Sequence, residues 1–209
     1  MASGTIKNII FDLGGVLVDI DPDRTAKAFA RLSETNAVDI MELHKSQNFF
    51  VDYEKGLIDD VTFRNHIRQF LDKDIPDIHI DNAWTAMLVE FPPQKIELLE
   101  IARKNYRTFL LSNTNNIHRI KFEKCFIDTA HSDFYDYFER VYYSFEMHMR
   151  KPDKEIFVKV LEENKLIPRE TLMIDDHLPN VRMASNLGIQ TRHVKINQEN
   201  IEIESYGRE

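Results

Sequence analysis

Short apolar runs that stop abruptly at a polar group, each followed by a helical pattern, dominate this chain and restrict the folds open to it. The first is Ile9-Ile10-Phe11, which ends in Asp12 and, after Leu13, the pair Gly14-Gly15. Thr108-Phe109-Leu110-Leu111 leads into Ser112-Asn113, and Thr171-Leu172-Met173-Ile174 leads into Asp175-Asp176. Residues 140–143 and 190–194 read as two further strands. Between them, residues 116–125, 154–163 and 178–187 carry helical spacing, the last closed by Gly188. Strands alternating with helices predict an α/β fold with a parallel sheet covered on both faces. In such sheets a ligand site lies outside the C-terminal strand ends, where Asp12, Ser112-Asn113 and Asp175-Asp176 are all expected.

Between Asp19 and Phe91 the pattern changes. No convincing buried strand is visible, and amphipathic helices follow one another. Asp21-Pro22 predicts a cap and first turn leading to Ala26, Phe29, Ala30 and Leu32. Asn36 with Asp39 predicts the start of a second helix carrying Ile40, Leu43 and Phe50, and Asp60 that of a third with Phe63, Ile67, Phe70 and Leu71. Residues 81–90, with Trp84, Met87 and Leu88, read as a fourth, closed by Pro92-Pro93. The 209 residues suffice for one domain with a modest insertion. The expected division is a sheet domain over 1–19 and 92–209 and a helical insertion over 20–91. Residues 196–209 read as a tail polar enough to fray.

Composition narrows the function classes. A net charge of −8 without a Lys/Arg block argues against nucleic acid. An acidic chain that binds an anion must build a local positive site from a metal, a lysine and backbone N–H groups. Cys125 is the only cysteine, so neither an intrachain disulfide nor a cysteine metal cluster is possible. No run reaches the ~18 apolar residues of a membrane span, and the first residues lack the apolar core of a secretion signal. The expectation is a cytoplasmic protein with no membrane partner.

The polar residues at the run ends suit phosphoryl chemistry as a set. Asp12 alone fits an ordinary turn; its functional reading is a nucleophile attacking phosphorus, with Gly14-Gly15 admitting a close metal or phosphate. Ser112-Asn113 alone is a helix cap; beside Asp12, the Ser112 hydroxyl and the N–H groups opening the next helix would hold phosphate oxygens. Lys151, before Pro152, would supply fixed positive charge, while Arg150 reads as solvated. Two adjacent acids gain nothing from burial, so Asp175-Asp176 suggests hard oxygen ligands for Mg²⁺. Asn180, one turn on, is placed to hydrogen-bond the same cluster. His177 reads as a solvated imidazole. Tyr53 and Trp84 are weak candidates for lining the site, and the aromatic run 134–138 reads as packing or a subunit contact.

The ordered set Asp12, Ser112, Lys151-Pro152 and Asp175-Asp176 resembles the haloacid dehalogenase superfamily of hydrolases over nearly the whole chain. Phe11-Asp12-Leu13-Gly14, Leu111-Ser112-Asn113-Thr114-Asn115, Met149-Arg150-Lys151-Pro152 and Ile174-Asp175-Asp176 with Asn180 are most similar to its bacterial sugar-phosphate phosphatases. The resemblance implies a Rossmann-like core with an inserted helical (C1-type) cap and a small phosphorylated metabolite as substrate. It implies an aspartyl-phosphate on Asp12, Mg²⁺ held by Asp12, the Gly14 carbonyl and Asp176, and a phosphoryl grip by Ser112, Asn113 and Lys151.

One position departs from that pattern. Gly14 stands where phosphatases of the superfamily carry the acid that protonates the leaving group and activates water. Losing a general acid/base costs ~10²–10⁴-fold in rate, so weakened turnover is expected. Two other readings stay open at the level of sequence: a catalytically silent phospholigand-binding protein on the same scaffold, and a metal-independent haloacid dehalogenase. Substrate identity and oligomeric state are not legible.

Overall fold

The computed structural model describes residues 5–32, 39–71 and 75–203. Its centre is a five-stranded parallel sheet in the order β5-β4-β1-β6-β7, built from β1 (Asn8–Phe11), β4 (Arg107–Ser112), β5 (Arg140–Tyr143), β6 (Thr171–Asp175) and β7 (Gln190–His193). In register, Ile9 lies opposite Thr108 on one side and Leu172 on the other. Because strand side chains alternate in direction, the sheet feeds two cores. Ile9, Phe11, Leu110, Leu172 and Ile174 enter one cluster, while Ile10, Phe109, Leu111 and Met173 enter the other. Helices α6 (Pro93–Asn105), α7 (Asn116–Ala130), α8 (Ser144–Met147), α9 (Lys154–Glu163) and α10 (Leu178–Asn186) lie along the same stretch of chain. The doubly wound α/β arrangement expected from the sequence is present. The aromatic run is packing: Phe134, Tyr137 and Phe138 are buried in the first core.

The stretch after Asp21 holds α1 (Pro22–Ala30), α2 (Ile40–Ser46), α3 (Phe49–Glu54), α4 (Asp60–Arg68) and α5 (Asp77–Thr85) around their own core of Phe29, Phe50, Phe63, Ile80 and Trp84. Asp21 caps α1 by accepting the Asp23 N–H, and Asp39 caps α2; Asn36 lies outside the described residues. Three expectations are corrected here. The second helix is two, because Gln47 adopts an extended conformation and Phe50 belongs to α3. The fourth starts earlier, at Asp77, and stops at Thr85, after which β3 (Leu88–Glu90) pairs antiparallel with β2 (Asp19–Ile20). Thr25 explains the stop: its hydroxyl donates to the Trp84 carbonyl and accepts the Met87 N–H, turning the chain out of the helix. A pair this short leaves no period in sequence. Third, residues 196–203 do not fray: Ile201 and Ile203 are buried in the first core, and the Tyr106 hydroxyl donates to the Ile203 carbonyl.

Among the described residues, no helix is long and apolar enough to cross a membrane. Both crossings between sheet and helices run through β2 and β3, beside the C-terminal end of β1.

Candidate active site

The central strands deliver their polar ends to one place. Asp12 follows β1, its N–H continuing the ladder to the Ile174 carbonyl (2.9 Å); Ser112 ends β4 and Asp175 ends β6. Between them stands Lys151, 1% exposed, with Nζ 2.8 Å from Asp12 Oδ1 and 2.7 Å from Asp175 Oδ2. Asn113 holds this lysine in place. Its Nδ2 donates to the Lys151 carbonyl and its Oδ1 accepts the Lys151 N–H, both at 2.8 Å.

The Asn113 side chain is therefore committed to bracing Lys151 and is not free to grip a phosphoryl group. Three N–H groups near the helix start are likewise engaged: Thr114 donates to Ser144 Oγ, Ile117 to the Tyr53 hydroxyl and His118 to Asn115 Oδ1. Of the groups proposed from sequence for that grip, Ser112 and Lys151 have no such competing backbone duty.

Carboxylate oxygens of Asp12, Asp175 and Asp176 lie within 4.8 Å of one another. Asp175 is fully buried and its oxygens are already used, by Lys151, by the His177 N–H (2.8 Å) and by Asn180 Nδ2 (3.1 Å to each oxygen). Asn180 thus supports the cluster through Asp175. Burial raises the Asp12 pKa to about 7, opposed by Lys151 and reinforced by Asp175 and Asp176. Burial and the neighbouring Asp175 also raise Asp176. On Lys151 burial pulls downward, but the two flanking carboxylates outweigh it and hold the ammonium above the usual lysine range.

This donor set fits Mg²⁺. It offers hard oxygens in an under-neutralised acidic cluster, and with the Asp175 oxygens already engaged the carboxylates that could hold the ion are Asp12 and Asp176. Gly15 keeps the cluster tight. It has φ +74°, and a Cβ there would lie 2.7 Å from Asp176 Oδ2. Gly14 has no such constraint, since a Cβ would meet only the Ile20 side chain, at 3.6 Å from Cδ1 and 3.8 Å from Cγ2. Of the two glycines, only Gly15 is demanded by close approach. Gly15→Ala is expected to lose ~1–3 kcal/mol of stability and to weaken Mg²⁺ binding, read by denaturant unfolding with and without the ion.

A cavity of about 280 Å³ opens above Asp12, with Ser112, Lys151 and Asp176 on its floor and Val18, Ile20, Met87 and Leu88 along its wall. Two further lining residues were not assigned from sequence. Arg150, expected to be solvated, is partly buried, and its Nη2 lies 3.0 Å from Glu54 Oε2 of α3. His118 is buried, stacks on Trp84 at 5.0 Å and donates from Nε2 to the Trp84 carbonyl. Burial drives its pKa down to about 4, so the ring is neutral. Nothing in the local sequence marks either residue, because their roles depend on helices distant in the chain. His177 is exposed, as expected. Tyr53 and Trp84 are buried in the helical core and do not line the cavity; Tyr53 donates to Asp60 at 2.7 Å.

A five-stranded parallel sheet with acids at adjacent strand ends, bridged by a buried lysine, defines a Rossmann-like hydrolase centre. Residues 6–188 match the haloacid dehalogenase-like hydrolases, and the chain belongs to that family. It is 30% identical over 186 residues to D-ribitol-5-phosphate phosphatase from Bacteroides thetaiotaomicron, spanning 89% of this chain and 90% of that one. It is 27% identical to a glyceraldehyde 3-phosphate phosphatase from Pyrococcus furiosus, over 89% and 79%. A HAD family enzyme from Bacteroides thetaiotaomicron, solved with magnesium and inorganic phosphate, superposes with a TM-score of 0.86 at 40% identity, covering 92% of this chain and 96% of that one. An L-2-haloacid dehalogenase from Xanthobacter autotrophicus shares the fold, with a TM-score of 0.60 at 18% identity.

Proposed function

We propose that the protein is a Mg²⁺-dependent phosphatase acting on a small phosphorylated metabolite of the carbohydrate-phosphate class. The observation that carries this reading is the buried Lys151 ammonium held between Asp12 and Asp175 beside Asp176. An Asp12 oxygen attacks phosphorus in line with the scissile P–O bond, which breaks to give an aspartyl-phosphate and an alkoxide that takes its proton from solvent water, since Gly14 supplies no acid. Lys151 opposes the rise that burial imposes on the Asp12 pKa, favouring the ionised nucleophile, and, with the Ser112 hydroxyl, faces the negative charge of the phosphoryl oxygens. Asp175 and Asn180 hold the lysine and the following turn in place. Asp12, Asp176 and the Gly14 carbonyl would hold Mg²⁺, which when bound offsets phosphoryl charge and orients the group for attack. Water then attacks phosphorus, releasing inorganic phosphate and restoring Asp12.

Residues 20–91 act as the cap over a core of 1–19 and 92–209. The end of α3 and the residue after it support this division by touching the core through Glu54 with Arg150, Lys55 with Asp153 (3.2 Å) and the Lys55 carbonyl with His148 Nδ1 (2.9 Å). A closed site of this size favours small soluble substrates over phosphoproteins. The lone cysteine and a metabolite substrate favour a cytoplasmic location, and the acidic charge disfavours nucleic acid.

Gly14 is the position that separates turnover from mere binding. Asp19 does not fill the gap: it precedes Ile20 on β2, its neighbours Lys95, Glu90 and Glu199 set its charge environment, and it does not line the cavity. Gly14→Asp is therefore expected to accelerate phosphate release from alkyl phosphates ~10²-fold, with smaller gains on substrates carrying good leaving groups. The assay is phosphate release from a metabolite panel with Mg²⁺. Release by wild type and faster release by the variant support the reading. Release by the variant alone would mark the natural protein as a silent phospholigand binder. Silence from both, or metal-independent chloride release from 2-chloroacids, would overturn it.

A further inference from the structure

The residues after 188, where the family match ends, return to the site and touch the backbone of each loop that carries a site acid. Val194 N–H donates to the Asp175 carbonyl (3.2 Å), and His193 Nε2 to the Asp176 carbonyl (2.9 Å). Asn197 N–H donates to the Gly15 carbonyl at 2.8 Å. Its side chain makes a second, unusual connection: Oδ1 accepts the Ile20 N–H at 2.9 Å while Nδ2 donates to the Ile20 carbonyl at 2.8 Å.

A primary carboxamide presents one acceptor and one donor side by side, as a neighbouring strand residue does. Asn197 thus takes the place of a third strand on β2, whose other edge is occupied by β3. A left-handed backbone, φ 57°, aims both the amide and the main-chain N–H, a conformation asparagine tolerates better than most residues. Through these three bonds one residue ties Ile20, in the cavity wall, to Gly15, whose missing Cβ makes room for Asp176.

We propose that Asn197 is a positioning residue for the metal site: its carboxamide and main-chain N–H fix the Gly14-Gly15 loop against Asp176 and set the Mg²⁺ affinity. The inference rests on the Mg²⁺ reading of Asp12 and Asp176 and goes beyond it, because Asn197 touches neither metal nor substrate. Partners that orient ligand-bearing groups commonly govern metal affinity by ~10–100-fold.

The test is a Mg²⁺ titration of the whole protein without substrate, by calorimetry or by the ion's shift of the melting temperature. Asn197→Gly keeps the left-handed backbone and removes the carboxamide; Asn197→Ser retains a polar side chain too short to span both Ile20 groups. Each is expected to raise the Mg²⁺ dissociation constant about tenfold. The Mg²⁺ needed for half-maximal turnover should rise with it, while kcat at saturating Mg²⁺ stays within about twofold of wild type. Ile203→Ala, which loosens the same segment in the core, should lower the melting temperature and leave Mg²⁺ affinity unchanged. Folded Asn197 variants with wild-type affinity would overturn the proposal, as would an equal loss of affinity in Ile203→Ala. Failure of wild type to bind Mg²⁺ would overturn the metal reading itself, and this inference with it.

Discussion

Asp12→Asn is expected to lose phosphatase turnover by a factor on the order of 10⁴ or more, because the amide is no nucleophile and the residual groups only bind and orient. The fold should survive, since the amide is isosteric and removes one charge from a crowded acidic cluster. Its stability has a signature of its own. Asp12 has a folded pKa of about 7 against the ordinary aspartate value of 3.8, so between those values the folded state holds more protons than the unfolded. Stability contributed by this group therefore falls as pH rises from about 4 to about 7 in the metal-free protein. Asp12→Asn should flatten that fall, as measured by unfolding in a chelator at several pH values. A variant with wild-type turnover would remove Asp12 from the mechanism.

Lys151→Met is expected to be the most damaging single change to stability. The ammonium is almost wholly buried between Asp12 and Asp175, so its removal leaves two carboxylates facing each other in a dry site. Breaking a buried charge pair in this way costs ~3–5 kcal/mol. The Asp12 carboxyl, already raised by burial, loses the opposing charge of Lys151 and sits further above its unfolded value, so the deficit is largest at neutral pH and shrinks as pH falls toward about 4. Turnover in whatever folds should drop by ~10²–10³-fold through loss of fixed charge at the phosphoryl group. Urea unfolding at pH 7 and pH 5 separates this from simple loss of packing, which would give the same deficit at both.

The three central strands, β1, β4 and β6, were legible because they are buried on both faces and so read as apolar runs closed by a polar residue. Asp12, Ser112 and Asp175-Asp176 were legible for the same reason, each standing where a run ends. Lys151 was legible through its motif, but its bracing by Asn113 was not: a carboxamide beside a serine looks the same whether it holds ligand or backbone. Strands β2 and β3 escaped notice because two or three residues show no alternation, and β3 continues a helical apolar pattern until Thr25 ends it. Polarity alone predicts a fraying tail, although Ile201 and Ile203 alternate into the core. Arg150, His118 and Asn197 depend on partners dozens of residues away, and local sequence carries no mark of them.

The central claim is that Asp12 becomes phosphorylated in a Mg²⁺-dependent cycle. With Gly14 in place of an acid/base, hydrolysis of the aspartyl-phosphate is slowed, and on a phosphate ester with a good leaving group, whose departure needs no acid, the intermediate should accumulate. Wild-type protein mixed with Mg²⁺ and such an ester, quenched in acid and digested, should therefore carry a phosphoryl group on the peptide containing Asp12. The adduct should be absent without Mg²⁺, absent in Asp12→Asn and depleted in Gly14→Asp. Phosphate release that proceeds with Asp12 unmodified at every quench time, or a phosphoryl group found on another residue, would contradict the account.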